Sequence, residues 1–88
     1  MSTGLTLEEI GRIGQELYDR EIKARVEPSL NGKYLVLDVV TGEYEIDDDD
    51  PEASDRLLAR LPEAELYGVR IGYSAAYRIG WHPTAENP

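Results

Sequence analysis

The stretch Lys33-Tyr34-Leu35-Val36-Leu37-Asp38-Val39-Val40-Thr41-Gly42-Glu43-Tyr44-Glu45-Ile46 leaves this chain few folds to choose from. Residues 33–40 are β-branched, aliphatic and aromatic, a strand pattern with Leu35, Leu37 and Val39 on one face. Thr41-Gly42 supplies a tight turn, with Gly42 free to take positive φ. Glu43-Tyr44-Glu45-Ile46 then returns as a second strand, acid outward and apolar inward.

Around this hairpin the remaining elements fall into order. Leu5-Thr6-Leu7-Glu8-Glu9-Ile10 fits a capping box, with Thr6 at N-cap, Glu9 at N3, and Leu5 and Ile10 placed as a hydrophobic staple. The spacing predicts a helix over 7–25, with Leu7, Ile10, Ile13, Leu17, Tyr18 and Ala24 on its apolar face. Glu8–Arg12, Glu16–Arg20, Asp19–Lys23 and Glu21–Arg25 are acid-before-base pairs on its surface. Pro28 and Asn31-Gly32 end it. A second helix is expected over 51–61, with Ala53, Leu57, Leu58 and Leu61 inward and Pro62 as its stop. Residues 66–73 alternate Tyr67, Val69, Ile71 and Tyr73 against Gly68, Arg70 and Gly72, a third strand. A strand–helix–strand crossover makes the third strand parallel to the second and places it beside the first. The expectation is a single α+β domain over 6–81, of order α-β-β-α-β. Its small antiparallel sheet has order 2-1-3, with both helices on one face, between a flexible 1–5 and a disordered 82–88. Arg70-Ile71-Gly72-Tyr73 is echoed by Arg78-Ile79-Gly80-Trp81. The echo allows either a short fourth strand turning at Ser74-Ala75-Ala76 or a docking segment.

Eighty-eight residues make one domain, burying about 60–65% of the surface of the unfolded chain. Cysteine is absent, which excludes disulfides and thiolate metal sites and fits a reducing compartment. Neither a signal-peptide pattern nor an apolar run of membrane-spanning length is present, so a cytoplasmic protein is expected.

The net charge of −9 is concentrated: residues 43–55 hold eight acids and no base, whereas 1–26 and 27–42 each carry −1 and 56–88 carry +1. Such a field opposes phosphate backbones and favours basic protein partners, so neither nucleic acid nor membrane is expected as a ligand. Asp47, Asp48, Asp49 and Asp50 form the densest part. An EF-hand register from Asp47 puts Pro51 at position 5, Glu52 at position 6 and Leu58 at position 12, failing the template each time. The local explanation is a helix start: Asp49 or Asp50 at N-cap, Pro51 at N1 and Glu52 in the first turn. One helix start needs one or two of these carboxylates, and the surplus reads as a partner-docking patch. No cofactor and no metal are expected.

Gly11-Arg12-Ile13-Gly14 spells GxxG, but inside a helix it reads as a close-packing spot against a strand or another helix. Signs of catalysis are few. His82 is the single histidine, in the expected tail, and no GxSxG, HExxH, Walker A or dinucleotide fingerprint occurs. The chain reads as a non-enzyme. Tyr67, Tyr73, Tyr77 and Trp81 cluster late, interleaved with Arg70 and Arg78, and these residue types are enriched in interface hot spots.

The run Asn31-Gly32-Lys33-Tyr34-Leu35-Val36-Leu37-Asp38, then Thr41-Gly42-Glu43-Tyr44-Glu45, the acidic run, the leucine-bearing helix and the final Arg70-Ile71-Gly72 resemble a family of small uncharacterised bacterial proteins. That resemblance covers residues 7–81. It implies the acidic, antitoxin-like member of a two-gene cassette, whose partner is the toxin-like or retropepsin-like product of a neighbouring gene. The expected docking residues are Asp47, Asp48, Asp49, Asp50, Glu52, Tyr73, Tyr77, Arg78 and Trp81. The other reading is a homo-oligomeric structural or assembly protein, a homodimer for instance, that uses the first helix and its Gly11/Gly14 face.

Overall fold

The computed structural model describes residues 4–73 and the backbone of residues 76–79. The first helix starts on its capping box. Thr6 Oγ1 accepts from the Glu9 N–H at 3.1 Å, and Glu9 Oε1 accepts from the Thr6 N–H at 2.9 Å. Leu5 packs into the same core cluster as Ile10.

Helix α1 (Leu7–Leu17) runs into a π turn (Tyr18–Ile22) and ends as α2 (Lys23–Val26). Its buried positions are Ile10, Gly14, Tyr18, Ile22 and Val26, a strict repeat of four. In a regular α-helix each step of four overshoots a turn by about 40°, and such a row winds away from the sheet. The wider π turn, closed by the Lys23 N–H on the Tyr18 carbonyl, takes up the surplus and returns Ile22 and Val26 to the core. The expected apolar face is corrected accordingly. Leu7 is 62% exposed and Ala24 is exposed, while Gly14, Ile22 and Val26 hold buried positions.

Strands β1 (Tyr34–Asp38), β2 (Tyr44–Asp47), β3 (Leu66–Arg70) and β4 (Ala76–Ile79) form one sheet of order β2-β1-β3-β4, every neighbouring pair antiparallel. The crossover from β2 to β3 runs through α3 (Asp50–Arg60), so the 2-1-3 order and the α+β class hold. Of the echoing segment, Arg78 and Ile79 fall on the fourth strand, with Arg78 opposite Gly68, and Gly80 and Trp81 lie outside the described residues. β1 stops two residues before the expected end, because Asp38 gathers the next turn. Its carboxylate accepts from the Val40 and Thr41 N–H groups at 3.2 Å each and from the Thr41 hydroxyl at 2.8 Å. Gly42, at φ 82°, closes the loop by donating to the Asp38 carbonyl at 2.8 Å.

The two helices lie on opposite faces, not on one. Leu35, Leu37, Tyr67, Val69 and Ile71 join Ile10, Tyr18, Ile22 and Val26 in one cluster, whereas Val36 and Leu66 join Ala53, Leu57 and Ala64 in another. Successive strand residues point to opposite faces. β1, buried from Leu35 through Asp38, has an apolar side chain to offer each helix. On the first face Gly14 meets β3 directly. A Cβ on Gly14 would stand 2.2 Å from Tyr67 Cγ, so the tyrosine ring lies flush on the helix backbone.

Candidate functional site

The acids of β2 alternate with Tyr44 and Ile46, and register sends them to the α3 face. Glu45 lies opposite Val36, which packs against α3, while Tyr44 and Ile46 pack against the other core. Arg56 and Arg60, one turn apart on α3, meet them. Arg56 reaches Glu45 and Asp47 at 3.0 Å each, and Arg60 reaches Glu45 at 3.0 Å and also Glu43. Across the sheet Lys33 Nζ pairs with Asp48 at 2.5 Å. The Asp49 N–H and the Arg56 guanidinium hold the Asp47 carboxyl below the usual aspartate range. Arg56 and Arg60 are correspondingly raised by the carboxylates they hydrogen-bond, Glu45 first for Arg56 and Glu43 first for Arg60.

The same two arginines cover the edge of the sheet. Asp38 and Glu43 form a hydrogen-bonded pair, the Asp38 N–H donating to the Glu43 carbonyl at 2.9 Å. Alternation along the ladder then turns the carbonyls of Tyr44 and Ile46 away from β1. Arg56 Nη2 donates to the Ile46 carbonyl at 2.9 Å, and Arg60 Nη2 lies 3.5 Å from the Tyr44 carbonyl. Edge strands with free backbone groups invite foreign strands, and this edge is occupied from within.

What the internal pairs leave is an acidic ridge. Three cations against the eight acids of residues 43–55 leave this corner five charges negative. Asp49 holds the N-cap position of α3 without a side-chain cap bond, which departs from the expected capping role. Its backbone N–H is instead taken by the Asp47 carboxylate at 2.9 Å. Asp50 accepts from the Ser54 hydroxyl at 3.2 Å. Asp49, Glu52 and Asp55 are exposed and recur every third residue along α3, and the Asp48 side chain is 81% exposed. Of the expected docking acids, Asp47 is therefore drawn inward, while Asp48, Asp49 and Glu52 face solvent. Asp55, inside the acidic segment 43–55 but outside the expected docking residues, faces solvent beside them.

The aromatic half of the expected site divides. Tyr67 is buried at 1% exposure, its hydroxyl donating to Gln15 Oε1 at 2.7 Å. Tyr73 is 58% exposed, and its ring and that of Tyr34 take the Arg70 guanidinium at 4.8 and 5.4 Å. Arg70 Nε also donates to the Gly32 carbonyl at 3.1 Å. Beside this stack, Tyr34, Asp49, Asp50 and Pro51 line an open groove of about 370 Å³. Tyr77 and Arg78 fall on β4, with side chains outside the described residues, as are Trp81 and residues 82–88. Gly14 is spent on Tyr67 within the domain.

A second polar cluster, unforeseen from the sequence, surrounds the π turn. Gln15, Tyr18, Asp19, Lys23, Glu27, Val69 and Tyr73 line a cavity of about 220 Å³. The Tyr18 hydroxyl donates to Glu27 Oε2 at 2.7 Å, and the Gln15 amide donates to both Asp19 oxygens at 3.1 Å. Burial first, and then the Glu27 carboxylate, raise the Tyr18 phenol far above its ordinary value; burial also raises Tyr67. Strictly local pattern reading cannot find a cluster whose members come from residues 15–27 and 67–73.

Among the described residues no group of three acid, histidine or cysteine side chains is placed to hold a metal ion, and no helix is long and apolar enough to cross a membrane. No protein-family model matches the chain, and no curated protein or solved structure matches it either.

Proposed function

We propose that this chain is a small, non-enzymatic interaction module, antitoxin-like in role, that works in the bacterial cytoplasm and docks a basic protein encoded by a neighbouring gene. The observation that carries this reading is the ridge of Asp48, Asp49, Glu52 and Asp55. These carboxylates face solvent, Asp48 with Lys33 beside it, while Glu43, Glu45 and Asp47 are drawn into contacts with Arg56 and Arg60 and Asp50 accepts from Ser54. Charge of one sign on an exposed surface accelerates encounter with a partner of the opposite sign and sets its orientation. The Tyr34–Arg70–Tyr73 stack, next to Asp49 across the open groove, supplies the aromatic and arginine content typical of an interface centre. Tyr77, Arg78 and Trp81 extend that anchor in the same reading.

The test is affinity capture from the source cells with mass-spectrometric identification of the partner, repeated over a range of salt. The triple variant Asp49→Asn/Glu52→Gln/Asp55→Asn should recover less partner and show a flatter salt dependence, whereas Asp47→Asn should leave both nearly as they are. Equal recovery and equal salt dependence for the triple variant and the wild type would remove the acidic ridge from the account. Tyr73→Ala and Trp81→Ala test the aromatic anchor without deleting β4.

A further inference from the structure

The cavity at the π turn has the construction of a small-molecule site. Two buried tyrosines stand behind it, Tyr18 at 3% and Tyr67 at 1% exposure, and each fixes one carboxylate on its rim. Tyr18 holds Glu27 directly at 2.7 Å. Tyr67 holds Asp19 through Gln15: its hydroxyl donates to the Gln15 oxygen, which aims the amide nitrogen at both Asp19 oxygens. Lys23 lies one turn from Asp19 and one turn from Glu27 in sequence and lines the same cavity. Among the described residues no ion pair joins Lys23 to either acid. Helical acid–base neighbours at this spacing ordinarily attract one another. Here both acids are held by neutral donors, and the opposite charges stand around an open volume with Val69 and Tyr73 on its apolar side.

We infer that this cavity binds a small zwitterion of the α-amino-acid class, its ammonium on Asp19 and Glu27, its carboxylate on Lys23 and its side chain against Val69 and Tyr73. The volume of about 220 Å³ equals that of about seven liquid waters, the size of a short amino acid and below that of drug-sized pockets. The Glu27 carboxylate, fixed in advance by buried Tyr18, and Asp19, aimed by Gln15, lose little freedom on binding, which favours measurable affinity for so small a ligand. This inference shares only Tyr73 with the interaction module proposed above: the cavity lies against α1, the π turn and β3, and the acidic ridge on α3 across the sheet.

The experiment is a ¹H–¹⁵N titration of the whole chain with each proteinogenic L-amino acid up to about 10 mM, with butylamine and butyrate as single-charge controls. The expected result is saturable shifts at amides of residues 15–27 and 69–73 with at least one amino acid, and binding of either control at least about tenfold weaker. Lys23→Gln should weaken the amino acid about tenfold and leave butylamine unchanged, and Asp19→Asn should weaken both. Both side chains are exposed, so the fold should persist, and circular dichroism verifies it. No saturable shift with any amino acid overturns the inference, and so does butylamine binding as tightly as the best amino acid.

Discussion

Gly14→Ala sets two effects of known size against each other. Alanine is favoured over glycine in a helix interior by about 0.8–1 kcal/mol. At Gly14 the added Cβ would stand 2.2, 2.5 and 2.6 Å from Cγ, Cδ1 and Cδ2 of Tyr67, where carbon–carbon contacts are comfortable at about 3.5–4.0 Å. The ring or the helix must therefore retreat by more than about 1 Å. The ring has little freedom to do so, since Tyr67 is 1% exposed and its hydroxyl is held by Gln15. Overpacking of this kind costs about 1–3 kcal/mol, and loosening the Tyr67–Gln15 bond adds about 0.5–1.5 kcal/mol. Sterics win. The expected net loss is about 0.5–3.7 kcal/mol, a fall of about 4–8 °C in Tm for each kcal/mol in a domain of this size. Urea unfolding followed at 222 nm measures it, with an unchanged slope showing that only stability has moved. Ala59→Gly, on the exposed side of α3, reports propensity alone and should cost no more than about 1 kcal/mol. A Gly14→Ala protein as stable as the wild type, or more so, would refute the packing argument.

Other outcomes follow from the polar contacts. Asp38→Ala removes the acceptor of the buried Glu65 N–H at 2.9 Å and of the loop groups at Val40 and Thr41, and should cost at least about 1–3 kcal/mol by urea unfolding, with Asp38→Asn recovering part of it. Asp47 is depressed in the folded chain, so its contribution is fully present above the unfolded aspartate value of about 3.9 and is lost as pH falls through the lower folded value. Tm measured below about pH 4 should therefore fall more steeply for the wild type than for Asp47→Asn. Arg56→Ala/Arg60→Ala should alter stability only slightly, because these guanidinium groups are largely solvated. It should also free the outward carbonyls of β2, seen as concentration-dependent self-association in light scattering.

Where an element depends on neighbours in the chain, the sequence states it well. The capping box, the positive φ of Gly42 and the 2-1-3 strand order were all readable, because caps, turns and short crossovers are local chemistry, whereas the loop starts two residues earlier than the Thr41-Gly42 turn. The π turn was not read, although Ile10, Gly14, Tyr18, Ile22 and Val26 spell its repeat of four; a 3.6-residue template selects Leu7 and Ala24 instead. The placement of one helix on each face was encoded in the unbroken apolar run of β1, which the alternating template split into a single inward face. The acidic segment was legible as charge but not as partners. Arg56 meets Glu45 across 11 positions and Arg60 meets Glu43 across 17, and these contacts exist only once α3 has folded over β1 and β2. Tyr67 and Gln15, 52 positions apart, are further still from anything a periodicity can show.

The arginine-covered edge of β2 has a consequence for stoichiometry. A sheet that recruits strands at both borders is a bifunctional monomer and grows without limit. Among the described residues β2 and β4 are the two borders, and Arg56 and Arg60 take the outward carbonyls of the first. Joining of copies through the other border, β4 against β4, would consume that border of each and halt at two. One pair of side chains thus separates a chain that can pair from one that can polymerise.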